Sequence, residues 1–201
     1  MRILASIGSL RTVLMVLTAI TSLSTILVTL GNVSDFGTNR IFVEHVLAMD
    51  TTFDSSNTKW RAITSPTLIT VTYLTIITWE ALIAIVLTAA FICWLRAITV
   101  QQRVVAACQL STCGWVMQII LFGGGFITIG GEWFQMWQST IWNGTQPAFR
   151  NFLIASIGLI LMHLFRPEPW HETGDQSRQM RAGCNDATSS QLPTWLDGFR
   201  T

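Results

Sequence analysis

From Val104 to Gly131 the chain carries no charged residue. At about 1.5 Å per residue, a helix needs about 20 apolar residues to cross a hydrocarbon core about 30 Å thick. This stretch exceeds that length. A segment in hydrocarbon must pair its own backbone N–H and C=O groups, which a helix does. Three further stretches read the same way: Thr12 to about Gly31, Pro66 to Leu95, and Pro147 to Phe165. Pro66 stands at a first-turn position, where its missing N–H costs nothing. Only 11% of the residues are charged and 50% are hydrophobic, with a mean hydropathy of +0.48. A soluble domain is about a quarter charged. The expected fold is therefore all-α, a four-helix transmembrane bundle. A cleaved signal peptide is the competing reading for the first run. Its apolar core is too long and no small-x-small cleavage site follows, so a retained helix is predicted.

Lys and Arg near helix ends set the expected orientation. Arg2, Arg11, Arg96, Arg103, Arg166, Arg178, Arg181 and Arg200 fall on one side; Arg40, Lys59, Arg61 and Arg150 fall on the other. The first side is predicted to be cytoplasmic, with both termini inside. Residues 1–165 then form the membrane domain, with helices at about 12–31, 66–95, 104–131 and 147–165. The polar stretch 166–201 is expected to form a cytoplasmic tail. Residues 32–65 and 132–146 become outer loops. In the first, Ile41 or Phe42, His45 or Val46, and Met49 recur at helical spacing and predict a short amphipathic helix at the membrane surface. EWFQMWQSTIW, with Trp133, Met136 and Trp137, is expected to do the same. Both loops are aromatic, so Trp60 or Phe42 is predicted to meet Trp133 or Trp137.

Glu80 lies alone in the second stretch, flanked by Trp79 and LIAIVLTAAFICWL. A charged side chain at bilayer depth costs about 2.5–3.5 kcal/mol on insertion scales, so it faces a partner or a polar cavity. Counting about 1.5 Å per residue from the helix ends, Gln118 falls at similar depth on the next helix. A short connection makes these two helices antiparallel neighbours, and a Glu80–Gln118 hydrogen bond is the expectation. Tyr73 and Thr88, seven before and eight after Glu80, share its face. Gly114 and Gly125 flank Gln118 as a small-residue stripe that lets helices approach. The bland reading of this polar cluster is a structural clamp; the sharper one is a proton- or cation-handling site. A contact face for another membrane subunit is the third.

No catalytic motif is found. Asp35, Glu44, His45, Asp50 and Asp54 crowd the first outer loop, but their spacing matches no EF-hand, HExxH or facial triad. A solvated acidic loop with helix caps is expected, and no metal. An outer-face hydrolase on Glu44, His45 and Asp50 is the distant alternative. His45, His163 and His171 do not pair at equal depth, which disfavours haem. No cofactor is expected. The GGG of LFGGGFITIGG lies inside an apolar helix, where glycines serve packing or a hinge. There is no CxxC pair, and Cys93, Cys108, Cys113 and Cys184 read as small apolar residues. The net charge of +1 and the lack of a basic stripe give no case for nucleic acid, and none is expected.

The segments GNVSDFGTNRIFVEHVLAMDTTF, KWRAITSP, WE within the second helix, and GGEWFQMWQSTIWNGTQPAFR resemble a bacterial family of predicted small integral membrane proteins, domain of unknown function family 2165. The resemblance covers about residues 10–165. It implies a four-helix protein of the inner membrane and brings no catalytic role with it. Its polar signature falls on Asn32, Asp35, Asn39, His45, Asp50, Trp60, Arg61, Glu80, Glu132, Trp133 and Asn143. These lie mostly on the outer face, and with Trp137 they form a candidate surface. The expected function is a non-enzymatic accessory or scaffold protein that binds a membrane partner or lipid through its outer loops. The alternative is an oligomeric transporter or cation conduit using Glu80.

Overall fold

The computed structural model describes residues 8–53 and 55–165. Among them there are helices and no strands. The element order is α1 (Leu10–Ser34), α2 (Phe36–Ala48), a 3-10 turn (Lys59–Arg61), α3 (Pro66–Ala97), α4 (Arg103–Gln118) running on as a π-helix (Ile119–Trp133), a second 3-10 turn (Met136–Gln138), and α5 (Thr145–Leu164). Four helices are long and apolar enough to span a membrane: Leu10–Ser34, Pro66–Ala97, Arg103–Trp133 and Thr145–Leu164. The expected tail from Arg166, with Cys184 and His171, and Asp54 lie outside the described residues.

The helices run longer than the apolar runs alone suggest. At α1, Ser9 caps the start, its Oγ accepting from Thr12 N at 3.3 Å. At the other end α1 continues through Asn32 to Ser34. That continuation turns part of the expected first loop into helix. The predicted surface helix of that loop forms as α2. The matching helix expected in EWFQMWQSTIW does not. The preceding helix instead continues to Trp133, and only the turn Met136–Gln138 follows.

Cross-helix hydrogen bonds fix the directions. Ser22 bonds Thr88 and Asn32 bonds Glu80, so residue numbers fall along α3 as they rise along α1: the pair is antiparallel. Thr18–Ser111, Thr21–Trp115 and Thr25–Gln118 keep separations of 93, 94 and 93, which makes α1 and α4 parallel. Arg11 closes the opposite end, donating to Ala97 O at the α3 terminus and, at 3.0 Å, to Gln101 Oε1. A cation on the last carbonyls of a helix is favourable.

Close approach is set by glycines. Gly114 on α4 lies against Leu87 of α3, with no room for a Cβ. A Cβ on Gly158 of α5 would lie 2.8 Å from the Trp115 ring, and one on Gly123 would lie 2.9 Å from Phe152. Gly125 has only Leu121 of its own helix nearby, so the expected stripe acts at Gly114 and not at Gly125. Leu14, Ile83, Leu87, Trp94 and Trp115 are wholly buried and fill the bundle between Arg11 and Glu80. Cys93 and Cys108 are half-buried beside this core; Cys113 is exposed on the bundle's outside.

The π winding of Ile119–Trp133 was not legible in the apolar pattern. Five of its residues are glycine. Its backbone bonding reaches back five residues, as in Phe134 N to Ile129 O at 3.0 Å, and the Thr128 side chain makes the same reach, its Oγ1 donating to Gly123 O at 2.9 Å. π-helices are rare and cluster at functional sites.

Candidate functional site

The site begins with a stripe on α1. Thr18, Thr21, Ser22 and Thr25 are buried, and Asn32 continues their line toward the end of the helix. Thr18, Thr21 and Thr25 donate to the carbonyls of Leu14, Leu17 and Thr21 at 2.6–2.8 Å. This local bonding satisfies the hydroxyl proton and leaves the oxygen to accept from another helix. Trp115 Nε1 donates to Thr21 Oγ1 at 3.3 Å, and Gln118 Nε2 donates to Thr25 Oγ1 at 3.2 Å. Thr88 pairs with Ser22 at 2.9 Å.

Glu80 and Gln118 do not bond each other. The side chain of Asn32 donates through Nδ2 to Glu80 Oε2 at 2.6 Å, while Gln118 turns to Thr25. The reason is α1, whose polar stripe reaches both α3 and α4. Between the latter two, Trp79 Nε1 donates instead to Met117 O at 3.1 Å. Gln118 Oε1 is left buried with no partner. Tyr73 does share the face of Glu80, and its hydroxyl donates to Asn32 O at 2.8 Å. Asn32 thus holds both residues, one through its amide and one through its backbone. Nothing in the α3 and α4 sequences points to this; the spacing of Thr and Ser along α1 was the available signal.

Glu80 is 3% exposed, yet it lines a cavity of about 380 Å³. Tyr73, Asn32, Asn39, Asn143 and Asn151 line it as well, with Phe42, Phe122 and Phe126. The sequence places Glu80 and Tyr73 in one set, and Asn32, Asn39 and Asn143 in another. The fold joins them around one space, and Asn151 was missed. Among the described residues no Lys, Arg or His lines it. Asn39 Nδ2 donates to Asp35 O at 3.0 Å and Asn151 Nδ2 to Pro147 O at 3.1 Å. Their carbonyl oxygens, and Glu80 Oε1, have no partner among the described residues. The cavity is rich in acceptors.

A second cavity, of about 370 Å³, is apolar. It lies among α2, α3 and the π segment, with Val46, Leu47, Val71, Thr75, Leu121, Gly125 and Ile129 in its wall. Phe42, Val43, Ile76 and Phe126 line both spaces. Both volumes fall in the range of roughly 300–1,000 Å³ typical of small-molecule sites.

Above the cavities the two loops pack into a cap. Trp60 meets Trp133 edge-on, with ring centroids 5.8 Å apart. The Arg61 guanidinium stands 4.6 Å from the Trp133 ring centroid and donates to Trp133 O at 3.3 Å. Phe53 meets Trp137 at 5.9 Å, and Phe42 meets Trp142 at 6.2 Å. Thr51 Oγ1 bonds Ser139 Oγ at 2.9 Å. Met49 and Gln135, at φ 52° and 55°, take the left-handed conformation where the two loops turn, a costly choice for residues with a Cβ. Asn143 organises the start of α5, its Oδ1 accepting from Thr145 N at 3.1 Å.

The remaining surface candidates stand apart from the cavity. His45 Nδ1 contacts Asp50 Oδ2 at 2.7 Å and stacks on Trp142 at 4.5 Å. Glu44 is paired instead with Arg40 at 2.9 Å. Asp35 and Glu132 are exposed. Among the described residues no three His, Cys, Asp or Glu side chains group closely enough to hold a metal.

Four apolar spanning helices closed at one end by an aromatic cap define a polytopic integral membrane protein. The chain belongs to the family described as "Predicted small integral membrane protein (DUF2165)", whose model matches residues 10–165. No curated protein and no solved structure matches the chain.

Proposed function

We propose that this protein is a non-enzymatic binding protein of a bacterial inner membrane, with both termini in the cytoplasm and the aromatic cap outside. In this reading it serves as an accessory to a membrane process, capturing its ligand or partner in the capped cavity. The observation that carries the reading is the convergence of Glu80, Tyr73, Asn32, Asn39, Asn143 and Asn151 on one space beneath the cap. The distribution of Lys and Arg supports the orientation. Binding is favoured over conduction by the packing below Glu80. There Ile83, Leu87, Trp94 and Trp115 leave no exposed surface, so a single bundle is plugged along its axis.

The test is gentle extraction of the full chain into native nanodiscs, followed by mass spectrometry of everything retained. A stoichiometric companion, protein or small molecule, that is lost when Asn151→Trp fills the cavity supports the reading. A bare monomer from every preparation refutes it.

A further inference from the structure

We infer that the capped cavity is a site for an organic ammonium ion, with the ion's apolar substituent lodged in the adjoining apolar cavity. This rests on the reading of the cavity as a binding site and names the chemistry it accepts. Three independent features converge.

The first is charge. Among the described residues Glu80 is the only carboxylate in the lining, and none of them brings a cation to the space to neutralise it. Its single hydrogen bond among the described residues uses Oε2, which leaves Oε1 to the cavity. An anion would meet this carboxylate unshielded, whereas a cation gains a charge-assisted hydrogen bond.

The second is hydrogen-bond polarity. The amides of Asn32, Asn39 and Asn151 each donate to protein groups. Each spends one of its two N–H donors in this way, and its carbonyl oxygen has no partner among the described residues. With Glu80 Oε1 these oxygens favour a ligand that brings donors, and an ammonium has donors and no acceptor.

The third is the wall. Phe42, Phe122, Phe126 and Tyr73 supply aromatic rings beside the acceptors. Aromatic rings beside a carboxylate recognise organic ammonium groups through cation–π attraction. A bare metal ion prefers a shell of several oxygens, six or more for calcium. This lining offers one carboxylate and much hydrocarbon. The shared wall of Phe42, Val43, Ile76 and Phe126 then places an apolar space within reach of whatever sits at Glu80. Val71 and Ile129, at 53% and 54% exposure, open that space to the bundle's outside, where bilayer hydrocarbon lies.

The experiment is calorimetric titration of the purified full chain in nanodiscs with 2-phenylethylammonium. 2-Phenylethanol serves as the uncharged match and phenylacetate as the anion. Two variants accompany wild type. Glu80→Gln keeps the Asn32 bond and removes the charge. Gly125→Phe fills the apolar cavity from a position where an added Cβ meets only Leu121, at 3.8 Å. Both are checked for unchanged helicity and a monodisperse profile. Saturable binding of the ammonium is expected, weakened about tenfold or more by Glu80→Gln and also weakened by Gly125→Phe. Equal binding of the alcohol, or ammonium binding indifferent to Glu80→Gln, overturns the inference and leaves the binding reading standing. Displacement of the ammonium by millimolar sodium or calcium assigns the site to a metal ion and overturns it too. Binding of none of the three overturns it as well, and the co-purification test then decides the broader reading by itself.

Discussion

Replacing Asn32 with leucine removes the sole hydrogen-bond donor to the Glu80 carboxylate among the described residues. The Tyr73 bond, made to the Asn32 backbone oxygen, is untouched. A hydrogen bond to a charged group is worth about 1.5–3 kcal/mol in soluble proteins. Between membrane helices the measured average is about 0.6 and the maximum about 1.7 kcal/mol, because the unfolded helices find other partners. The 2.6 Å length and the 3% exposure of Glu80 argue for the upper part of the membrane range, so Asn32→Leu is expected to cost about 1–2 kcal/mol. Glu80→Leu should cost less, since the Asn32 amide is half-exposed and can turn to water. The double variant Asn32→Leu/Glu80→Leu should be more stable than Asn32→Leu alone, because no buried carboxylate is then stranded. The assay is reversible unfolding in mixed micelles, run as a double-mutant cycle. A coupling energy of about 1 kcal/mol is expected. Additivity within about 0.3–0.5 kcal/mol, the behaviour of independent sites, would refute the pairing that organises the site.

Gly158→Ala should destabilise the chain by about 1–3 kcal/mol, as overpacking does. The new methyl meets the wholly buried Trp115 ring, which cannot retreat from its bond to Thr21; a melting temperature equal to wild type would show that α5 is not seated as described. Gly124→Ala is the control, since nothing lies within 4 Å of its added Cβ. Arg61→Ala should loosen the cap by about 0.5–2 kcal/mol of cation–π attraction, read as faster hydrogen exchange across residues 59–63; Arg61→Lys should rescue it only in part, lacking the planar guanidinium. Thr51→Cys with Ser139→Cys should cross-link under mild oxidation, since the native hydroxyls stand 2.9 Å apart. A pair that stays reduced while accessible to maleimide would contradict the loop packing.

The packing of the loops and of the core was legible to different depths. Trp60 against Trp133 followed from two aromatic loops on one side of a bundle. The helix Phe36–Ala48 followed from spacing alone. Its expected counterpart after Trp133 did not form, because the glycine-rich segment kept winding to that residue in π form. Glycine placement pointed to the close approach at Gly114; the contacts of Gly123 with Phe152 and of Gly158 with Trp115 depend on α5 packing against α4 and the π segment, which no spacing showed.

By itself the sequence determined that this is a membrane protein with four spanning helices, because hydrocarbon imposes a length and a lack of charge that no other solvent imposes. It also determined that Glu80 must have company, since a lone carboxylate at that depth is too costly to leave unpartnered. Which residue keeps it company was decided only by the tertiary structure. Spacing within α3 correctly put Tyr73 on the face of Glu80, and depth put Gln118 at a similar level. Neither could show that α1 reaches both helices, that Trp79 bonds across to Met117 O, or that Asn32 bridges carboxylate and phenol. Periodicity reports a residue's neighbours along its own helix. The neighbour across an interface depends on which helices touch and at what rotation. The cavity is a property of five elements meeting, and it came into being only when their side chains had to fill the same volume and did not.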